Sequence, residues 1–132
     1  MRYLSIDYGF SHIGLAFAED KLAEPYGQIK NISDQESVEK IVEICQKEKI
    51  ETVIVGISEG KMAEKTEAYT DLLRERLAIP VVLFDETLSS HTAQQYLRKS
   101  GAKKKKRQTR EHEIAAAIIL QNYLDDLSRN LL

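Results

Sequence analysis

Thr52-Val53-Ile54-Val55-Gly56-Ile57 decides how the rest of the chain reads. The run is β-branched and apolar without a polar alternation, so it is expected as a strand buried on both faces, the signature of a parallel sheet covered by helices. Moving outward, residues 63–77 read as a helix with Tyr69, Leu72, Leu73 and Leu77 inward, and Pro80 opens a second buried strand, Val81-Val82-Leu83-Phe84, which stops at Asp85. On the other side, Ser33 followed by Glu36 is a capping-box signature. Val38, Ile41, Val42 and Cys45 then follow at one-face helical spacing. Residues 2–7, 13–18 and 26–32 read as three strands of an antiparallel meander, with 8–12 as the first turn. Ser89 or Ser90 is expected to cap a helix reaching about Lys99 and ended by Gly101, and Thr109 or Arg110 to start a last helix running to about Leu127. The order βββαβαβαα predicts one α/β domain over residues 1–132: a mixed five-stranded sheet, three antiparallel strands then two parallel, flanked by helices.

Composition narrows the class. The chain has 132 residues, 42% hydrophobic and 30% charged, which excludes disordered and collagen-like chains. Its longest apolar run, residues 114–120, is far short of the ~20 residues a membrane span needs, and Asp7 interrupts the first apolar stretch, so neither a membrane segment nor a signal peptide is expected. The single cysteine, Cys45, excludes an intrachain disulfide and a cysteine zinc site and fits a reducing cytoplasm. The net charge of −2 hides an asymmetry. Arg98, Lys99, Lys103, Lys104, Lys105, Lys106, Arg107 and Arg110 fall in one stretch without an acid, while all 21 acidic residues lie elsewhere. An acidic body with one basic segment suggests a polyanion gripped at one place, although a lysine run is as often only a solvated loop.

The acids fall at strand ends. Asp7 closes the first strand before Tyr8-Gly9, where an apolar residue would cost less, and Gly14 leaves room for a backbone or a phosphate. Asp85-Glu86 ends another strand, and Glu59 lies two residues past Ile57. On the last helix, His112 shares a face with Ala116, Ile119 and Tyr123, and Glu113 with Ala117, Leu120 and Leu124, so the alanines allow close packing that carries His112 or Glu113 towards the strand ends. Glu59, Glu86 and Glu113 taken singly each read as a solvated loop or helix-start acid. As a set, Asp7, Glu59, Glu86 and Glu113 suggest carboxylates that repel unless a cation such as Mg²⁺ or Mn²⁺ neutralises them, with His112 as a further ligand or proton shuttle.

Four blocks together resemble the YqgF (RuvX) family: Asp7-Tyr8-Gly9 with Ile13-Gly14-Leu15-Ala16, Val53-Ile54-Val55-Gly56, Pro80-Val81-Val82-Leu83-Phe84-Asp85-Glu86-Thr87-Leu88-Ser89, and the helix ending from Ala115 to Asp125. The resemblance implies an RNase H-like fold related to RuvC-type junction resolvases. It also implies a bacterial cytoplasmic nuclease proposed to mature the 5′ end of pre-16S ribosomal RNA. The family's acidic positions fall on Asp7, on Glu86 and on the acid opening the last helix, which here is His112 between Glu111 and Glu113. Other departures are Phe10-Ser11-His12 for Thr-Lys-Arg, Thr87 for an arginine, and a 56–63 loop that lacks the usual proline and asparagine but has Glu59.

The expected activity is divalent-metal-dependent phosphodiester hydrolysis on structured nucleic acid. Asp7, Glu86, Glu59 and Glu113 are the metal set, and His112 or Glu113 the variable catalytic partner. Lys103, Lys104, Lys105, Lys106, Arg107 and Arg110, placed just before the last helix, are expected to hold phosphates. With 7% aromatics and no tryptophan, no base-stacking platform is expected. The competing readings are a junction resolvase acting on branched DNA as a homodimer, an actin-like nucleotide binder, and an RNA-binding or ribosome-assembly module with weakened catalysis.

Overall fold

The computed structural model describes residues 1–57, 60–85 and 104–130. Its elements are β1 (Arg2–Asp7), β2 (His12–Glu19), β3 (Leu22–Lys30), α1 (Asp34–Lys47), β4 (Thr52–Ile57), α2 (Lys61–Arg76), β5 (Val81–Asp85) and α3 (Lys104–Asn130). The five strands form one mixed sheet in the order β3-β2-β1-β4-β5. The β1–β2 and β2–β3 pairs are antiparallel, and β4 pairs parallel with both β1 and β5. The expected three-antiparallel, two-parallel sheet is therefore present.

The 52–57 run is covered on both faces because its alternate side chains enter different cores. Val53 and Val55 join Leu4, Ile6, Ile13 and Leu15 under α1 and α2. Ile54 points the other way, to Tyr3, Ala16, Ala18 and the Ala116, Ile119, Leu120 and Leu124 side of α3. Ser33 caps α1 as its motif predicts, its hydroxyl accepting the Glu36 N–H at 3.2 Å.

The third strand and the last helix differ most from expectation. The third strand was expected at 26–32 and runs Leu22–Lys30. Its first half breaks the alternation and contains Pro25, which is tolerated because β3 is an edge strand that bulges at Tyr26, where Gly27 pairs with Leu15 and Pro25 with Ala16. The last helix was expected from Thr109 or Arg110 and begins at Lys104. Lysine, arginine and glutamine are good helix formers, but a polar stretch with no apolar partner leaves no periodic signal. The basic residues 104–110 are thus the first turns of α3 rather than a loop preceding it. The expected helix from Ser89 or Ser90 to Lys99 lies outside the described residues.

Candidate active site

The parallel pairing brings the C-terminal ends of β1, β4 and β5 to one rim. Ile6 stands beside Val55 and Val55 beside Leu83; two residues on, Ile57 stands beside Asp85. Asp7 ends β1 at this rim and is 4% exposed. Period-2 alternation sets its direction, since Tyr3, Ser5 and Asp7 share the face that α3 covers.

Small residues bring α3 onto that face. Opposite Tyr3, Ser5 and Asp7 on β2 stand Ala18, Ala16 and Gly14. Ala115 and Ala116 of α3 are fully buried against the sheet side. The buried Ser5 hydroxyl donates to the Ala116 carbonyl at 2.6 Å, tying β1 to the helix backbone. At Gly14 the contact is closest: an added Cβ would lie 2.0 Å from the His112 carbonyl oxygen and 2.6 Å from the Glu113 nitrogen. The space left by Gly14 is therefore filled by helix backbone.

This docking sets His112 against Asp7, with Nδ1 2.7 Å from Oδ2. At that separation a proton must lie between the atoms, since two lone pairs would repel, so Nδ1–H donates to the carboxylate. The hydrogen bond to Asp7 raises the His112 pKa above the ordinary 6.5; burial works against it, and the charges of Asp7 and Glu111 add to the rise. Because the folded state holds this proton more tightly than the unfolded chain, the stabilisation is complete below about pH 6.5 and fades as pH climbs through the raised folded-state value. In metal-free protein the midpoint of thermal unfolding should fall over that range, and His112→Asn should remove the fall. An equal slope in the variant would exclude His112 as its source.

Glu113 goes elsewhere. Its Oε1 accepts Arg110 Nε–H at 2.7 Å, and it does not form a group with Asp7 and His112, since among the described residues no three His, Cys, Asp or Glu side chains converge as a metal-holding cluster. Glu59 and Glu86 lie outside the described residues, two positions beyond β4 and one beyond β5. Lys103 also lies outside them, while Lys104, Lys105, Lys106, Arg107 and Arg110 stand on the first turns of α3, the end that also carries His112. Among the described residues, the donors brought together are thus one carboxylate and one imidazole. This pair fits a divalent cation that takes oxygen and nitrogen ligands, with Asp7 as direct ligand or as the carboxylate that orients the imidazole.

A second layer was missed in the sequence. Asp34 at the start of α1 accepts the Tyr8 hydroxyl at 2.8 Å and the Asn31 amide at 3.1 Å, and the same amide group donates to the Gly9 carbonyl at 3.1 Å. Burial, reinforced by Asp34, pushes the Tyr8 phenol up to about 12, so it remains a donor. Tyr8 also packs on Tyr69 with ring centroids 4.5 Å apart. These contacts fix the turn after Asp7. The only local hint was an Asn and an Asp flanking the Ser33 cap.

The fold is that of the RNase H-like resolvases. The chain superposes on the fowlpox virus resolvase in its Holliday junction DNA complex with a TM-score of 0.63 at 12% identity, over 96% of this chain and 99% of that one. For Thermus thermophilus RuvC with a Holliday junction substrate the TM-score is 0.56 at 16% identity, over 94% of both chains. The chain belongs to the RuvX family, described as "Holliday junction resolvase", which matches residues 1–126. It is 35% identical over 130 residues to a Chloroflexus aurantiacus protein named "Putative pre-16S rRNA nuclease", covering 92% of this chain and 85% of the relative. A protein of the same name from Anaeromyxobacter sp. is 35% identical over 133 residues, 95% of this chain and 97% of the relative.

Proposed function

We propose that this chain is a hydrolytic nuclease that uses a divalent cation to cut structured nucleic acid, and that its substrate is the 5′ region of precursor 16S rRNA. The observation that carries the reading is the buried Asp7 carboxylate at the rim of the parallel strands, 2.7 Å from His112, in a chain of the RuvX family. Relatives named for pre-16S rRNA across nearly the whole chain favour the RNA substrate. That substrate sets the protein in the bacterial cytoplasm; no helix among the described residues is long and apolar enough to cross a membrane.

Mg²⁺ or Mn²⁺, when bound, supplies a Lewis acid for the phosphate and a water of lowered pKa. Asp7 would hold the ion, with Glu86 and Glu59 completing the ligand set, and Glu113 would keep Arg110 in place rather than act as a ligand. His112, fixed at Nδ1 by Asp7, offers Nε2 to ligate or to move a proton. Lys103, the basic first turns of α3 and Arg110 hold flanking phosphates without reading sequence.

The test incubates the protein with a precursor 16S rRNA 5′ fragment and with a four-way DNA junction, each with Mn²⁺ or EDTA. Cleavage of the RNA alone, lost in EDTA, is expected. Symmetric cutting of the junction instead would reassign the substrate and call for a two-fold dimer.

One observation favours a second reading. By the motif resemblance the family's acid on the last helix falls on His112, an imidazole that already engages Asp7, and on this reading the chain retains RNA binding with weakened catalysis. Replacement His112→Asp removes the competing proton and adds an anion, and should tighten Mn²⁺ binding in calorimetry by roughly tenfold or more. If wild type binds no Mn²⁺ at millimolar levels yet binds RNA, the weakened module is the correct reading.

A further inference from the structure

Phe10 is 59% exposed, more than any other aromatic of the described residues, although it follows Asp7 by only three positions. It borders a cleft of ≈260 Å³ with Tyr8, Ile32, Asp34 and Lys65. Ile32 is also exposed, at 67%. The Lys65 ammonium lies over one face of the Phe10 ring, 4.8 Å from its centroid, so a stacking partner must take the other face. We propose that Phe10 stacks on an unpaired nucleobase of the RNA strand held at Asp7, with Lys65 meeting the adjoining phosphate. The proposal rests on the nucleic-acid reading above.

Four features support it. The cleft is smaller than the ~300–1,000 Å³ of pockets for whole cofactors, which suits a single ring system. Its charge is mixed: Asp34 repels phosphate while exposed Lys65 attracts it, so a bound nucleotide keeps its phosphate at Lys65 and away from Asp34. Asp34 also favours a base edge that presents an amino group. The inner wall is rigid, since the Tyr8 and Asn31 bonds hold Asp34 and Tyr69 backs Tyr8, and a pre-ordered wall loses little entropy on binding. Finally, the place fits the strand. Three residues span at most ~10 Å; the cleft opens on the α1–α2 side and Asp7 faces α3, so the RNA strand passes over the end of β1 to reach both, a few nucleotides apart. A low aromatic content predicted no stacking platform; one exposed ring at the site edge suffices for one base.

The test uses a hairpin RNA with a short single-stranded 5′ extension carrying 2-aminopurine, and a blunt duplex RNA of equal length, with Ca²⁺ in place of Mg²⁺ to prevent cleavage. Wild type should quench the 2-aminopurine. Phe10→Ala should abolish the quench and weaken binding to the extended RNA roughly tenfold, in line with the cost of losing one base–aromatic stack. Phe10→Trp should retain both, Phe10→Leu neither, and Lys65→Ala should weaken binding while leaving the quench of bound RNA. Blunt duplex should bind all variants equally, and Phe10→Ala should melt as wild type does because the ring is exposed. If wild type binds the extended RNA and Phe10→Ala binds it equally well, or if leucine serves as well as tryptophan, the stacking site is wrong while the nuclease reading stands. If wild type binds neither RNA, the nucleic-acid reading fails and the stacking site with it.

Discussion

Asp7→Asn abolishes metal-dependent cleavage while leaving the protein folded. The amide keeps the shape of the side chain, and its carbonyl oxygen can still accept the His112 Nδ1–H, so the docking of α3 survives. What disappears is the negative charge at the rim. Loss of an outer partner of a metal site costs ~10–100-fold in affinity or activity, and loss of a direct carboxylate ligand should exceed that. Cleavage of the precursor RNA fragment with Mn²⁺, followed beside a thermal melt, decides the matter. Cleavage at the wild-type rate in Asp7→Asn would mean that the chemistry lies elsewhere, and a folded but inactive variant is the expected result.

Gly14→Ala carries the largest expected effect on stability. Within a strand, replacing glycine by alanine ordinarily helps, because it restricts the unfolded chain. Here the added carbon would lie 2.0 Å from the His112 carbonyl oxygen and 2.1 Å from its carbonyl carbon. Both are backbone atoms of a helix, so no side chain can turn aside, and α3 must lift from β2. Overpacking costs typically about 1–3 kcal/mol and occasionally more, and this site belongs at or above the upper end. The same shift would carry His112 away from Asp7, so the pH dependence of unfolding should vanish with the stability. Urea denaturation gives the number; a variant as stable as wild type would disprove the backbone contact.

Much of this architecture is legible in the amino-acid order because the signals are local. β4 shows itself through β-branched residues on both faces, α1 through Ser33, Glu36 and a one-face apolar stripe, and the end of β1 through the burial cost of Asp7. Where the pattern is polar or irregular, the reading drifted. β3 begins four residues early because its edge position and a bulge at Tyr26 accommodate Pro25, and α3 begins at Lys104 because a run of lysines has no apolar face to announce it.

The candidate site divides along the same line. That Asp7 and Asp85 close strands whose ends point the same way follows from the chain order, since β4 pairs parallel with both β1 and β5. The choice between His112 and Glu113 does not: both lie on apolar-backed helical faces, one residue apart. It is decided by the depth to which α3 sinks at Gly14, which turns His112 onto Asp7 and leaves Glu113 to Arg110. Likewise, no local pattern joins Tyr8, Asn31 and Asp34, because their bonds depend on where α1 starts relative to the first turn. The sequence by itself determined the strand and helix pattern, the two-sided burial of β4 and the family, all of which rest on periodicity and short motifs. Only the tertiary structure decided which side chain of α3 meets the Asp7 carboxylate and that Phe10, three residues further along the chain, stands exposed. Those outcomes depend on the distance between packed backbones, and spacing along a chain does not encode that distance.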